Sequence, residues 1–559
     1  MLFNSYIFIF LFLPLCLVGF YLLQKKQATL AKVWLTCFSL WFYGYFNQRY
    51  LLIMICSIIG NYFVHLLIVK AKKSEEEAIK YEKAEEKEQK CKKVETRSRG
   101  YEDSEKKGLN YKQNCKSKGV MIAGVAMNIL VLFYFKYVDF FIENVNALFG
   151  SSYPLKHILL PLGISFFTFQ QISFLVDTYR GELSKISFVD YALFVSFFPQ
   201  LIAGPIVVHE EMIPQFARIG KDGRSKEEKA EIFMKGIYVF VLGLAKKVLI
   251  ADTFGQAVDL AYGNVAGING MESLLTVIFY SLQLYFDFSG YCDMAKGIAG
   301  MFGMKIANNF NSPYKAAHIV DFWKRWHITL SRFFTKNIYI PLGGNRKGEN
   351  RMYLNYLIVF FLSGLWHGAG WNFILWGMMH GVLYVATKWW LKHKRKPAVA
   401  TESELNSENN IGGSGHRRRI PAIKVNACRM LACSLTFIYV SIAWVYFRAS
   451  SVEQANTLLM NIFTKPWIIP GENFANVFNL GEFWYVLKIL KIAALPYAKY
   501  YLMFVFTLVS LMITFLGKNI DTLAEEWKPK VTNGFLTAVL FVWCVVSLSG
   551  VSTFLYFNF

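Results

Sequence analysis

Residues 51–69 read LLIMICSIIGNYFVHLLIV, a mostly apolar run with no Lys, Arg, Asp or Glu. A helix needs about 20 residues of this kind to cross the hydrocarbon core of a bilayer. Outward from this stretch, comparable runs lie near 6–23, 31–45, 120–135, 158–176, 188–207, 232–250, 274–288, 354–366, 373–389, 427–447, 501–516 and 536–556. The pattern predicts an all-α polytopic membrane protein with about 10–13 transmembrane or re-entrant helices, some of them short or tilted.

The chain has 559 residues, 55% hydrophobic and 17% aromatic. A soluble chain of this length would split into several domains with polar surfaces. The first run lacks a basic leader and is followed by Gln24, Lys25 and Lys26, with no small-residue cleavage site, so it reads as a retained helix rather than a signal peptide. The net charge is +22. Lys and Arg collect in cytoplasmic loops of membrane proteins, which accounts for the excess. No basic, aromatic-interleaved soluble domain is present to bind nucleic acid. The 9 cysteines are scattered, without a CxxC pair, and Cys91 and Cys115 in a charged stretch are not spaced as metal ligands. Neither a disulfide framework nor a zinc site is indicated, and no metal is expected.

Two insertions interrupt the apolar pattern. Residues 71–118 are dense in Lys and Glu and read as a solvated helical hairpin or a partly disordered loop. Residues 392–424 join a basic cluster at 392–396 to Arg417-Arg418-Arg419 through a Ser/Asn/Gly-rich middle, which reads as a flexible linker. Both are assigned to the cytoplasm, where such basic clusters also attract anionic lipid. The expected organisation is N-terminal transmembrane helices (1–70), the charged insertion (71–118), a core (119–391), the basic loop (392–424) and C-terminal transmembrane helices (425–559). No internal repeat is visible.

The segment 286–381 concentrates polar, aromatic and glycine residues at membrane depth, where polar groups are costly and mark function. Asp287 and Asp293 put two acids at the end of an apolar helix, with Ser289 between them, although Ser289 is not in a GxSxG elbow. His367 closes the run 356–366 and is followed by Gly368 and Gly370, which admit close approach of backbone or ligand. A neutral histidine in an apolar wall can take a proton from a hydroxyl as it attacks an acyl carbon. Read alone, His367 fits better a histidine that merely bonds a neighbouring helix. His380 lies 13 residues on; in one continuous helix it would sit well round the far side, but the glycines make continuity doubtful. Trp323 and His327 are spaced to share a helical face, among Lys324, Arg325 and Arg332. That basic, aromatic stretch suits a membrane-interface element or an anionic acyl donor.

These blocks resemble the membrane-bound O-acyltransferases, in the bacterial branch that contains alginate O-acetyltransferase and related polysaccharide and peptidoglycan acetylation proteins. The resemblance rests on Phe322-Trp323-Lys324-Arg325-Trp326-His327-Ile328-Thr329-Leu330-Ser331, on Tyr339-Ile340-Pro341-Leu342-Gly343-Gly344-Asn345-Arg346, and on Gly364-Leu365-Trp366-His367-Gly368-Ala369. Phe197-Phe198-Pro199-Gln200-Leu201-Ile202-Ala203-Gly204-Pro205-Ile206 and Tyr285-Phe286-Asp287-Phe288-Ser289-Gly290-Tyr291 support it upstream. It covers about residues 1–390 and leaves the two insertions aside.

The resemblance implies that His367 is the family's essential histidine and His327 its second characteristic one. It implies a bundle around a central tunnel, donor entry from the cytoplasm and an acceptor presented outside. Lower-ranked candidates for donor or substrate contact are Trp323, Arg325, Trp326, Asn345, Arg346, Trp366, Asn372, His380, Asp287 and Ser289. No bound cofactor is implied; acetyl-CoA is the implied donor, and an extracytoplasmic SGNH or serine-hydrolase-like acetyltransferase is the implied partner. The expected function is acetyl transfer across the cell membrane for O-acetylation of an extracellular or cell-wall polysaccharide. The stretch ending in Gly343-Gly344-Asn345-Arg346 favours acetyl over D-alanyl transfer. A polytopic transporter or flippase would also carry polar residues at depth but does not explain the clustered Trp and His motifs; a non-catalytic scaffold for wall synthesis is a third reading.

Overall fold

The computed structural model describes residues 1–95, 116–183, 186–394, 422–479, 484–489 and 497–549, with residues 481, 491, 495, 554 and 555. The tip of the charged insertion (96–115, with Cys115) and most of the basic loop (395–421, with Arg417-Arg418-Arg419 and the expected linker) lie outside the described residues. Among the described residues the regular structure is helical throughout. Contacts gather the chain into two compact units. One comprises Met1, Leu15–Ile202 and Val207–Gly223; the other comprises Leu2–Pro14, Ala203–Ile206 and Arg224–Phe559.

The first unit holds most of α1 (Leu13–Lys26), then α2 (Ala28–Gly44), α3 (Gln48–Glu95), α4 (Lys116–Lys136) and α5 (Ile164–Arg180). The charged insertion, read from the sequence as a helical hairpin or a partly disordered loop, begins as helix: α3 runs unbroken from its apolar half to Glu95. The physical reason is local. Residues 71–95 are rich in Ala, Glu, Lys and Gln, among the strongest helix formers, and Lys73 faces Glu77 one turn on at 3.9 Å. The Glu75 carboxylate accepts hydrogen bonds from the Ser117 backbone N–H (2.9 Å) and hydroxyl (2.7 Å), so the start of α4 is tied back to α3.

Within this unit a polar ladder joins three helices. Asn61 donates to Gln171 at 2.8 Å and to Asn128 at 3.2 Å, Asn128 donates back at 2.6 Å, and Ser57 donates to Gln171 at 2.7 Å. Lipid tails are as apolar as leucine, so such bonds and tight packing, rather than hydrophobic burial, hold membrane helices together.

The second unit holds α6 (Lys226–Ala245), α7 (Gly270–Met301), α8 (Ile328–Phe334), α9 (Glu349–His367), α10 (Trp371–Lys394), α11 (Ala422–Arg448), α12 (Ala498–Leu516) and α13 (Val531–Val546). α6 and α7 cross with their backbones in contact. A Cβ on Gly297 would lie 2.5 Å from the Phe240 nitrogen, and one on Gly243 would lie 2.6 Å from the Met294 nitrogen. Gly297→Val is therefore expected to destabilise the protein by about 1–3 kcal/mol or more through overpacking. The readout is a lowered thermal midpoint of the detergent-solubilised protein; an unchanged midpoint would contradict the contact.

Among the described residues, five helices are both long and apolar enough to cross a membrane: Phe8–Lys26, Gln48–Tyr81, Lys116–Lys136, Ala427–Arg448 and Ala498–Leu516. Helices α6, α7, α9 and α10, at 20, 32, 19 and 24 residues, have the length but carry more polar groups. Of these, α7 is mostly buried within the second unit, and α9 and α10 carry His367 and His380.

Candidate active site

His367 is the last residue of α9. Gly368 leaves the helix in an extended conformation (φ −161°, ψ 151°), and α10 begins at Trp371. The two helices then fold back on each other as a hairpin. A Cβ on Gly364 would lie 2.4 Å from the Phe373 carbonyl oxygen, and one on Gly377 would lie 2.4 Å from that of Phe360. At the far end of the hairpin, Lys392 of α10 pairs with exposed Glu349 of α9; its hydrogen bond and charge hold that carboxyl below the usual range. The close approach of α9 and α10 fixes where the His367 ring can point.

That ring is 3% exposed and sits in an aromatic cage. Ring centroids lie 4.7 Å away at Trp366, 5.0 Å at Trp376 and 5.1 Å at Phe447 of α11, at interplanar angles of 70°, 90° and 71°. Such steep arrangements place the positive edge of one ring on the negative face of another.

His327 is fully buried, with its ring centroid 6.3 Å from that of His367, 6.2 Å from Trp366 and 4.9 Å from Phe288 of α7. The expected helical face shared by Trp323 and His327 is not formed. A short helix, Ile319–Phe322, ends before Trp323, and His327 takes left-handed backbone angles (φ 46°, ψ 51°) before α8 begins. Trp323 and His327 consequently face different partners. Trp323 donates its indole N–H to Nδ1 of His380 at 3.3 Å and packs on Phe360 and Trp376.

His380 is fully buried on α10, a different helix from His367, so the count of steps along one continuous helix does not apply. Trp376 packs against both histidines, at 5.0 Å from His367 and 5.2 Å from His380. Trp326 lies beneath them, 4.9 Å from Trp444, which in turn stacks on Trp376 at 5.5 Å. The structure thus brings together His327, His367, His380, Trp323, Trp326 and Trp366.

The remaining candidates have other local partners. Arg325 pairs with Asp321 at 2.9 Å, and Asn372 donates to the Tyr446 and Ala449 carbonyls at 3.2 and 2.8 Å, tying α10 to α11. Asn345 and Arg346 are exposed in the turn after Tyr339. Asp287 is ion-paired to buried Lys247 at 2.7 Å and accepts the Leu555 backbone N–H at 3.0 Å. Ser289 is buried on the same helix as Asp287. Asn309, Trp376, Phe288 and Phe447 belong to the cluster without having been singled out. Asn309 stands among Asn308, Asn311 and Ser312 after an apolar helix, which is a usable signal; Phe447 has none, because only folding brings it near.

A cavity of about 520 Å³ opens beside the cluster. Its walls include Trp323, Ser331, Tyr356, Phe360, Ser363 and Tyr384, with Lys324, Arg332 and Lys336 also on its lining. Trp323 is common to cavity and cluster. The volume suits a small-molecule site, with apolar walls and few polar groups. In the first unit, Asp177, His209 and Glu210 offer ligand atoms within 4.8 Å of one another, but the Arg180 guanidinium, 3.6 Å from Asp177, already gives that carboxylate a counter-charge.

A helical protein with apolar spans that buries two neighbouring histidines among aromatic rings has the general form of a membrane-embedded enzyme, and its chemistry is set by the family to which it belongs. Residues 111–406 match the membrane-bound O-acyltransferase family, and the chain belongs to that family of multi-pass membrane O-acyltransferases. It is 35% identical to the peptidoglycan O-acetyltransferase of Helicobacter pylori, across 100% of this chain and 98% of that protein. It is 32% identical to a probable alginate O-acetylase of Pseudomonas aeruginosa, across 90% of this chain and 82% of that protein. Similarity to the teichoic acid D-alanyltransferase of Bacillus subtilis is 28% identity, over 52% of this chain and 74% of that protein.

Proposed function

We propose that this protein carries acetyl groups across the cell membrane for O-acetylation of peptidoglycan. The observation that carries the reading is the match to a peptidoglycan O-acetyltransferase over essentially the whole of both chains. The shorter, weaker match to a D-alanyltransferase makes acetyl the favoured acyl group.

In this reading His367 is the general base. It takes the proton of an acceptor hydroxyl as the oxygen attacks the acyl carbon; the new C–O bond forms, the thioester C–S bond breaks, and the donor's thiol leaves. His327, whose ring lies 6.3 Å from that of His367, orients the donor. The aromatic cage excludes water, which would otherwise consume the thioester. Acetyl-CoA is the proposed donor, with its acyl arm in the 520 Å³ cavity and its phosphates near Lys324, Arg332 and Lys336. An extracytoplasmic serine-hydrolase-like acetyltransferase completes the transfer to the sugar.

The test is base-released acetate from purified peptidoglycan, and from any secreted polysaccharide, in a deletion strain with and without the wild-type gene. Restored peptidoglycan acetate is the expected result. Acetate restored only on a secreted polysaccharide would move the acceptor, and a change in wall D-alanine with no change in acetate would overturn the acyl group.

A further inference from the structure

The Asn309 side chain sits between three elements. Its Oδ1 accepts from the Thr329 backbone N–H at 3.2 Å and from the Thr329 hydroxyl at 2.9 Å, and lies 3.2 Å from Nδ1 of His327. Its Nδ2 donates to the Cys292 sulfur of α7 at 3.4 Å. The Asn309 main-chain carbonyl accepts the Ile328 N–H at 3.0 Å.

These contacts remove two ambiguities. A backbone N–H can only donate, so the atom facing Thr329 is the amide's oxygen rather than its nitrogen. That oxygen can only accept, so the nitrogen of His327 beside it carries a hydrogen. Nδ1 is then the protonated position, and in the neutral ring the basic lone pair belongs to Nε2.

The backbone adds a second, independent observation. His327 is in the left-handed region at φ 46°, which a residue other than glycine holds only where its surroundings over-determine it. Asn309 bonds the two residues that follow His327, through its carbonyl to Ile328 and its side chain to Thr329. The same residue therefore sets both the ring's tautomer and the turn that aims it.

We propose that Asn309 is the positioning residue of His327, holding its ring in the Nδ1-protonated tautomer and its backbone in the left-handed turn. The inference rests on the reading that His327 takes part in acyl transfer.

The experiment follows labelled acetate from acetyl-CoA into peptidoglycan in permeabilised membranes. Rates are normalised to monodisperse full-length protein, so that poor accumulation of a variant does not enter the comparison. Asn309→Ala is expected to lower turnover by about a hundredfold, the scale of a misplaced orienting group, with KM for acetyl-CoA within about twofold. Asn309→Asp keeps the accepting oxygen and is expected to recover turnover to within about tenfold of wild type. Wild-type turnover in Asn309→Ala, an effect on KM alone, or an aspartate no better than alanine would each overturn the proposal. His327→Ala with wild-type turnover would instead strike the underlying reading of His327, which separates the two failures.

Discussion

Replacing His367 by alanine is expected to abolish restoration of peptidoglycan acetate in a complemented deletion strain, at membrane levels matched to wild type. Loss of a general base costs about 10²–10⁴ in rate, and wall acetate would fall to the level of the deletion. The geometry supports an effect of this size. His367 is buried at the end of α9, with its ring enclosed by Trp366, Trp376 and Phe447, so solvent is poorly placed to replace it as proton acceptor. Truncation also leaves a gap in the aromatic cage, which costs some stability. The thermal midpoint of the solubilised variant should therefore be measured alongside, and His367→Gln, which fills more of the gap, should be as inactive as alanine. Equal restoration by wild type and His367→Ala would remove His367 from the mechanism.

The largest effect on stability is expected at Lys247. Its ammonium is 3% exposed and lies 2.7 Å from Asp287 and 2.6 Å from Asp252. Asp287 is itself 1% exposed. Removing one member of a buried ion pair leaves an uncompensated charge and costs about 3–5 kcal/mol; here two carboxylates lose their counter-charge together. Lys247→Ala should sharply lower the thermal midpoint and the yield of monodisperse protein. Lys247→Met combined with Asp287→Asn, which removes a charge from each side, should recover a large part of the loss. A Lys247→Ala protein that melts with wild type would mean that these carboxylates do not depend on the ammonium. The same contacts explain why Asp287, a candidate by virtue of an acid at membrane depth, is engaged as a structural partner: the rule that such groups are functional by default does not see a lysine 40 residues earlier in the chain.

The hairpin of α9 and α10 shows where reading along the chain stops being informative. In the sequence, Gly364 and Gly377 are two glycines in separate apolar runs. That they approach each other's helix, and so place Trp376 between His367 and His380, follows only from the folded hairpin. The helical reading of 323–327 failed for a related reason. Local spacing suggests one helix, but the bonds from Asn309 to Ile328 and Thr329 hold His327 in a turn that intrinsic preference would not choose.

By itself the amino-acid sequence determined the solvent of this protein and its helical class, because run length and hydropathy act residue by residue, and the insulation of a bilayer leaves helices as the way to satisfy backbone groups among long apolar runs. It also marked His327 and His367, since polar residues at membrane depth stand out against an apolar background. Only the tertiary structure decided which polar groups meet. Asn309 reaches His327 across 18 residues, Lys247 reaches Asp287 across two helices, and Phe447 closes on His367 from a third. Such contacts depend on helix crossings set by glycine backbones and aromatic packing, and no local pattern in the chain records them.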